Sequence, residues 1–542
     1  MLTADETKHL ISVFRKFDIN TLIEIAGSQV FQIIKNIIDT GAERSIAEVV
    51  VRRFDDQVFS IPKVRRAWID SLTSEQITIA SEKLSIKHEL SLNIGLKDYF
   101  KNWTFISSKK FVEIFDLSSK FIKKTAPPKL EPLEVISLEY DENLNSRGQL
   151  HPYQKTVKDQ VNKQLMYSDN RELLVQMPTG AGKTFTMLES LVDILRTNPK
   201  NTFVFWVVNS NELASQSHEA FKKLWKQKGD QSINSYRFYS AISPNTLSSN
   251  SGIAFGSFST LTALLEGNKK EHKEVLKKIA SMTHTLVIDE AHSTPAETYS
   301  ECVSYFQKNG LRHLVGLTAT PGREDKAELN ELVDLFQQNI IQITDDNANV
   351  VSNVVEYLQK NEYLAELEVH LLETDNLVTE SDPIRLCDSL AKDATRNIKI
   401  IERVEKYVLS GKSTLLFACT KSHVFALYVL LKNKGITCEF IVGETSPAKR
   451  ADILERFKNK DFLVLLNLSI LETGIDVPSL DHVFITRPIG SSIAYSQIIG
   501  RALRGPKNGG KPKNEVTTLI DNITSHIDEQ VLFKNFWSSW GI

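Results

Sequence analysis

The sequence predicts an α/β protein built from two tandem parallel-sheet lobes, preceded by a mostly helical domain. Three observations carry this. An apolar run, Leu173 to Met177, leads through Pro178-Thr179-Gly180-Ala181-Gly182 into Lys183-Thr184, the pattern of a buried strand turning through a phosphate-binding loop into a helix. Apolar runs at 203–208, 253–255, 286–288 and 314–317 then alternate with helix-spaced stretches, as strands of a parallel sheet buried on both faces do. A second set follows at 414–417, 439–442, 462–466, 483–485 and 517–520, with no second Gly-Lys-Thr. One lobe is therefore expected to hold a nucleotide, and the other to share its architecture without a phosphate loop.

The 542 residues leave room for about three or four domains. A hydrophobic content of 41% and a charged content of 24% are those of an ordinary globular protein. No run approaches the ~18 apolar residues of a membrane span, and Met1-Leu2-Thr3-Ala4-Asp5-Glu6 lacks the basic and apolar regions of a signal peptide, so a cytoplasmic protein without a membrane partner is expected. A formal net charge of −2 argues against a generally basic nucleic-acid coat, but leaves room for phosphate contacts inside a groove. Cys302, Cys387, Cys419 and Cys438 never approach a C-x-x-C spacing, which speaks against a zinc ribbon or a disulfide framework.

Residues 1–125 carry irregularly amphipathic stretches, opened by Thr3 to Glu6 in the S/T-x-x-E form of a capping box, and read as a helical accessory domain. Arg52, Arg53, Lys109, Lys110, Lys123 and Lys124 read either as nucleic-acid contacts or as solvated helix faces, and the domain is also a candidate site for a protein partner. The proline-rich stretch from Thr125 to Pro132 predicts a linker over 126–149. The first lobe is expected over 150–345, a helical connector over 346–395, and the second lobe over 396–542, closed by a helix bearing Phe533, Phe536, Trp537 and Trp540.

The chemistry is anion capture followed by hydrolysis. Thr179, Gly180, Ala181 and Gly182 let backbone N–H groups turn onto phosphates at a helix N-terminus, where the helix dipole adds positive charge. Lys183 would reach the β/γ-phosphates and Thr184 would sit on Mg²⁺. Asp289 and Glu290 close the apolar run 286–288, where Asp289 would hold Mg²⁺ and Glu290 would orient and deprotonate the attacking water. Gln154 precedes the loop by about one helix and one strand; it reads as a surface glutamine or as a bidentate reader of adenine N6 and N7. Arg501 and Arg504 stand three apart, expected on one face of a helix, and suit a clamp on phosphates held by the other lobe. Asn209, Ser210, Thr260 and Thr473 follow strands and could hold a nucleic-acid backbone without reading bases.

With these residues in place the chain resembles a superfamily 2 helicase or translocase of the DEAH-box kind, from about Leu150 to Asp521. Met177 to Thr184 is similar to motif I of that superfamily, which does not demand the glycine that Met177 replaces. Asp289 to His292 resembles motif II, Thr318 to Thr320 motif III, Asn467 to Pro478 motif V, and Gln497 to Arg504 motif VI. The resemblance implies two RecA-like lobes, ATP and Mg²⁺ as cofactors, Gln154, Gly474 and Asp476 at the nucleotide, and Gln497 with the two arginines in catalysis. It also implies that His292, Thr318 and Thr320 couple hydrolysis to strand movement. His151-Pro152-Tyr153-Gln154, Gly443 to Ser446 with Arg450, and Val477-Pro478 are most similar to the bacterial RadD, XPB-like and restriction-enzyme translocase group. By analogy, DNA repair or antiphage defence is implied, although the endonuclease domain and the zinc-binding cysteines found in that group are absent from this sequence. An RNA helicase and a nucleic-acid-sensing ATPase switch remain the alternative readings.

Overall fold

The computed structural model describes residues 2–38, 41–87, 91–123, 131–138, 149–168, 171–199, 202–240, 251–267, 270–291, 297–319, 332–345, 347–468, 480–489 and 492–523. The first lobe is a sheet of β1 (Leu133–Ile136), β2 (Glu172–Gln176), β3 (Phe203–Val208), β4 (Ile233–Phe238), β5 (Gly252–Ser257), β6 (Thr285–Asp289), β7 (His313–Thr318) and β8 (Ile340–Ile341), in the order β1-β4-β5-β3-β6-β7-β2-β8. Central β3 is buried at every position, which is why its sequence is an unbroken apolar run. All neighbours pair in parallel except β1, which runs antiparallel to β4.

That exception corrects the expected linker over 126–149. Residues 133–136 cover the open edge of β4, and Glu134 takes ion pairs from Arg237 and Lys222. Edge strands left bare are a liability, and this one is capped by the approach segment of its own chain. Residues 124–130, with most of the prolines, lie outside the described residues.

The second lobe contains β9 (Glu366–Val378), β10 (Thr414–Phe417), β11 (Cys438–Ile441), β12 (Val464–Asn467), β13 (His482–Ile485) and β14 (Lys513–Ile523), ordered β11-β12-β10-β13-β14-β9, with every pair parallel. Here the expected helical connector over 346–395 is wrong in its middle. Helices Val354–Lys360 and Pro383–Lys392 flank a 13-residue strand that joins the edge of β14. The pairing with β14 supplies the backbone hydrogen bonds, and Leu367 turns inward between exposed Glu366 and Glu368. β9 and β14 are also pinned through Asp521, which accepts from Thr374 Oγ1 at 2.9 Å and Asn376 Nδ2 at 3.1 Å.

The N-terminal domain runs from helix Ala4–Phe14, with its Thr3 and Glu6 capping box formed, to helix Phe105–Ile114. It packs against the second lobe. Ile33 and Val50 share one continuous buried cluster with Val424, Phe425 and Leu430 of helix Lys421–Asn433. Polar contacts fix the seam: Gln29 Nε2 donates to Asp388 at 3.2 Å, Asn36 Nδ2 to the Lys392 carbonyl at 3.1 Å, and Lys449 pairs with Asp55 at 2.8 Å. Several of the basic residues of this domain are engaged within the protein. Arg53 donates to the Ala26 carbonyl and lies over Phe54 and Phe425, Lys110 lies over Tyr99, and Lys123 donates to the Trp103 carbonyl. Arg53 in particular is committed to the seam with the second lobe, which is neither a solvated face nor a nucleic-acid contact. Lys124 and the four aromatic residues of the expected C-terminal helix lie outside the described residues, and no described helix is long and apolar enough to cross a membrane.

Candidate functional site

β2 ends at Gln176, and Met177 donates its N–H to the Thr318 carbonyl of β7, closing the strand before the loop begins. Gly180 and Gly182 then take φ of +85° and +80°, a region that disfavours a Cβ, so the turn requires glycine at both places. Helix Lys183–Thr197 starts directly after Gly182, with its first-turn N–H groups at the loop.

The order β6-β7-β2 sets the carboxylates of motif II two strands from this loop, at the same end of the sheet. Thr184 Oγ1 donates to Asp289 Oδ2 at 2.9 Å, and Lys183 Nζ lies 3.7 Å from Glu290 Oε1. Burial, reinforced by the charge of Glu290, pushes the Asp289 carboxyl up to about 6, against the opposing pull of Lys183 and Thr184. Glu290 itself holds φ at +57°, uncommon for a residue with a side chain. Such outliers persist where the surrounding structure fixes them; here the Glu290 N–H bonds back to Asp289 Oδ1 at 3.1 Å. Thr318 ends the intervening strand β7, fully buried. His292 and Thr320 lie outside the described residues.

Gln154 reaches this loop from helix Pro152–Tyr167. Its Nε2 donates to the Ala181 carbonyl at 3.0 Å, joined there by Tyr153 Oη, while its Oε1 accepts from the His151 N–H at 2.9 Å. Gln154 is thus no surface glutamine. Each end of its amide keeps one further hydrogen-bonding position, the number that a bidentate contact with adenine uses.

The second lobe faces the loop directly. Helix Ser492–Ile499 carries Gln497 and ends before the arginines, which corrects their expected helical placement. Arg501 lies in a tight turn closed by Ala502 N–H to the Ile499 carbonyl, and Arg504 forms a β-bridge with Leu364. Ala365 N–H donates to the Leu503 carbonyl, so pairing with the segment that enters the second lobe pulls 503–504 out of the helix. A Cβ placed on Gly180 would stand 3.5 Å from Leu503 Cβ and 3.7 Å from the Gly500 carbonyl, and a Cβ on Gly500 would overlap Thr179 Cγ2. The phosphate loop and the expected motif VI therefore abut.

The residues proposed for a nucleic-acid backbone do other work as well. Ser210 Oγ caps helix Asn211–Lys228 by accepting from Leu213 N–H at 3.2 Å, and Thr260 Oγ1 lies 3.0 Å from Ser257 Oγ. Asn209 is half-buried after β3, and Thr473, Gly474 and Asp476 lie outside the described residues. Sequence reasoning missed Tyr363, whose ring meets His151 at a tilt and Tyr153 edge-on between the lobes, and Asn508, which bonds His151 across them. A tyrosine just ahead of an alternating stretch was the only available signal for the first.

Two parallel-sheet lobes meeting across a phosphate loop, with a carboxylate pair two strands away, define the class: a P-loop nucleotide-hydrolase fold made of two RecA-like lobes. Two family models match within it: the type III restriction enzyme res subunit over residues 147–323 and the helicase conserved C-terminal domain over 398–506. The chain belongs to the superfamily 2 helicases and translocases, in the restriction-enzyme and XPB-like group.

Among its relatives is IRC3 of Saccharomyces cerevisiae, provisionally named an ATP-dependent helicase, 27% identical over 61% of this chain and 46% of IRC3. Another is the DNA 3'-5' translocase XPB2 of Sulfurisphaera tokodaii, 22% identical over 65% of this chain and 77% of that protein. The helicase MrfA, in a crystal structure bound to DNA, shares the fold with a TM-score of 0.50 at 16% identity, over 76% of this chain and 52% of MrfA. The chain spans about half the length of IRC3 and 54% of the fowlpox virus transcript termination protein A18.

Proposed function

We propose that this protein couples ATP hydrolysis between its two lobes to movement along DNA, as a helicase or translocase. The observation that carries the proposal is the convergence of Lys183, Thr184, Asp289 and Glu290 at one end of the first sheet, beside a loop whose Thr179 and Gly180 abut Gly500 of the second lobe. The names of XPB2 and MrfA's bound ligand favour DNA over RNA as the track.

In this reading the loop N–H groups and Lys183 bind the triphosphate. Lys183 exchanges its partner Glu290 for phosphate oxygens, which releases that carboxylate to orient and deprotonate water. The hydroxyl of Thr184 and the carboxylate of Asp289, 2.9 Å apart, are a donor set suited to Mg²⁺, a hard cation that prefers oxygen. A buried carboxyl whose ionisation is disfavoured gains from such a charge nearby. Bound there, Mg²⁺ would supply charge neutralisation at the phosphates. Gln154 reads adenine, and Gln497, Arg501 and Arg504 complete the site from the second lobe when it closes. Asn209, Ser210, Thr260 and Thr473 hold the strand's phosphates, with Gly474 and Asp476 at the nucleotide and His292, Thr318 and Thr320 linking the two sites. The setting is cytoplasmic, and a protein partner meets the N-terminal domain on faces turned away from the second lobe.

The test is the ATPase rate titrated separately with single-stranded DNA, duplex DNA and RNA, run beside strand-displacement and translocation assays. Stimulation by DNA with movement supports the proposal. Stimulation by RNA alone, or hydrolysis without movement, would replace it with an RNA helicase or a sensing switch.

A further inference from the structure

The base end of the cleft carries a contact set outside the machinery described above. Tyr363 sits where the chain crosses into the second lobe, with its ring 4.7 Å from the His151 ring and 4.9 Å from the Tyr153 ring of the first lobe. From the second lobe, Lys507 Nζ lies 4.6 Å from the Tyr363 ring centroid, and Asn508 Nδ2 donates to the Tyr363 carbonyl at 2.7 Å. Asn508 Oδ1 then lies 2.8 Å from His151 Nε2. Because the amide nitrogen of Asn508 is committed to a carbonyl, its oxygen faces His151, and the Nε2–H of His151 must be the donor. His151 is in turn held at its N–H by Gln154 Oε1.

We propose that His151 and Asn508 form a clasp between the lobes that transmits nucleobase recognition by Gln154 to closure of the second lobe. They are positioning residues, and the inference rests on the proposed ATPase function. The chain of contacts is short: Gln154, the His151 backbone, the His151 ring, Asn508, and then the loop 505–508. That loop is bound to the crossing segment by Lys507 N–H to the Glu362 carbonyl and Gly505 N–H to the Tyr363 carbonyl. An adenine that fixes the Gln154 amide fixes the N-terminus of its helix, and with it the imidazole that Asn508 must meet. A base that does not match the Gln154 amide leaves that end of the helix less firmly held, and closure gains less from the bond. Nucleotide affinity in the open state, set by the phosphate loop, is untouched. Coupling of this kind acts through a difference between states.

The experiment measures kcat and KM for ATP and GTP in the wild type, Asn508→Ala, His151→Ala, His151→Gln and the double alanine variant, with a thermal melt of each. One hydrogen bond predicts that Asn508→Ala lowers kcat for ATP by about two- to tenfold with KM nearly constant. GTP turnover should hardly change, so the ATP:GTP ratio falls. The double variant should lose no more than either single one, and His151→Gln, whose amide can donate to Asn508, should recover part of the loss. Unchanged ATP:GTP ratios in folded single variants, or additive losses in the double variant, would overturn the clasp. A wild type that hydrolyses no nucleotide would instead overturn the proposed function, and the two failures are distinguishable.

Discussion

Gly500 of the second lobe lies so close to Thr179 of the phosphate loop that a single added carbon would overlap the Thr179 methyl group. The backbone of Gly500 does not adopt a positive φ, so alanine is sterically excluded here by the opposite lobe and not by its own backbone. Gly500→Ala should therefore hold the lobes apart. ATP affinity should stay within a few fold, hydrolysis should fall by at least about tenfold, since misplacement by an ångström costs rates of that order or more, and the melting temperature should change little. Thr179→Ser in the same background removes the offending methyl and should restore part of the rate. Failure of that second change to help would mean that the barrier lies elsewhere, against the Ser496 carbonyl on its own helix.

Lys183→Ala should abolish hydrolysis in a folded protein, because in the proposed mechanism it removes the charge that meets the phosphates. Glu290→Gln should bind ATP and nucleic acid and stall there, since the amide keeps the shape of the side chain and loses the base. Asp289→Ala should weaken Mg²⁺-ATP binding instead. Equal losses of ATP affinity in the last two variants would refute the division between base and metal ligand.

The carboxyl of Asp289 also has a stability consequence in metal-free protein. Its folded-state pKa of about 6 lies above the ordinary aspartate value, so the ionised form weakens the fold. The penalty is absent below about pH 4, grows between about 4 and 6, and is fully present above. Asp289→Asn should thus stabilise the fold in a chelator at pH 8 by an amount on the order of 1 to 3 kcal/mol, read by denaturant unfolding, and the gain should vanish near pH 4. A gain that is constant with pH would place its cause in packing.

How much of this was legible in the sequence follows from burial. β3, β6 and β10 are buried on all sides, so their sequences had to be apolar and were found at nearly the right residues. β9 escaped because an edge strand meets water, and Glu366, Glu368, Glu373 and Asp375 look like a solvated helix. Its period of two at Leu367 and Val369 was present, but short. The loop 177–184 and the pair Asp289 and Glu290 were legible because phosphate chemistry fixes residue type and spacing together. Nothing local announces that Phe425 will be covered by Arg53, or that Asn508 will meet His151, since neither contact constrains its neighbours in sequence. The arginines were placed on a helix for want of one fact, the bridge from Arg504 to Leu364.

Arg396 and Asp521 form a buried ion pair, with the guanidinium Nε and Nη2 both 2.9 Å from the carboxylate oxygens and Nη2 also donating to the Thr486 carbonyl at 2.7 Å. Asp521→Ala leaves a buried cation and should cost about 3 to 5 kcal/mol. Replacing both residues with apolar ones of similar volume should cost far less. Denaturant unfolding of both variants measures the difference, and equal costs would show that the hydrogen bonds to Thr374 and Asn376, and not the charge, make Asp521 important.

Arg501 and Arg504 carry the sharpest test of cooperation between the lobes. Neither sits on a helix, so their directions are set by the turn at 500–502 and by the pairing of 503–504 with Leu364 and Ala365. That segment also packs on Gly180, which brings the arginines' backbone to the phosphate loop without any contact that nucleotide binding itself requires. Arg501→Ala and Arg504→Ala should keep ATP affinity within a few fold, because the loop, Lys183 and Gln154 all belong to the first lobe. Each should lose nucleic-acid-stimulated hydrolysis by a factor that approaches the ~10³ contributed by an arginine finger. Binding to DNA should remain independent of sequence and weaken steeply with salt, with the same slope in wild type and variants, since no phosphate contact on the strand has been removed. The measurements are ATP affinity, ATPase rate against DNA concentration, and the salt slope. Normal stimulated turnover in both variants would mean that the arginines take no part in hydrolysis when the second lobe closes on the loop, and the proposed coupling of hydrolysis to movement through them would fail.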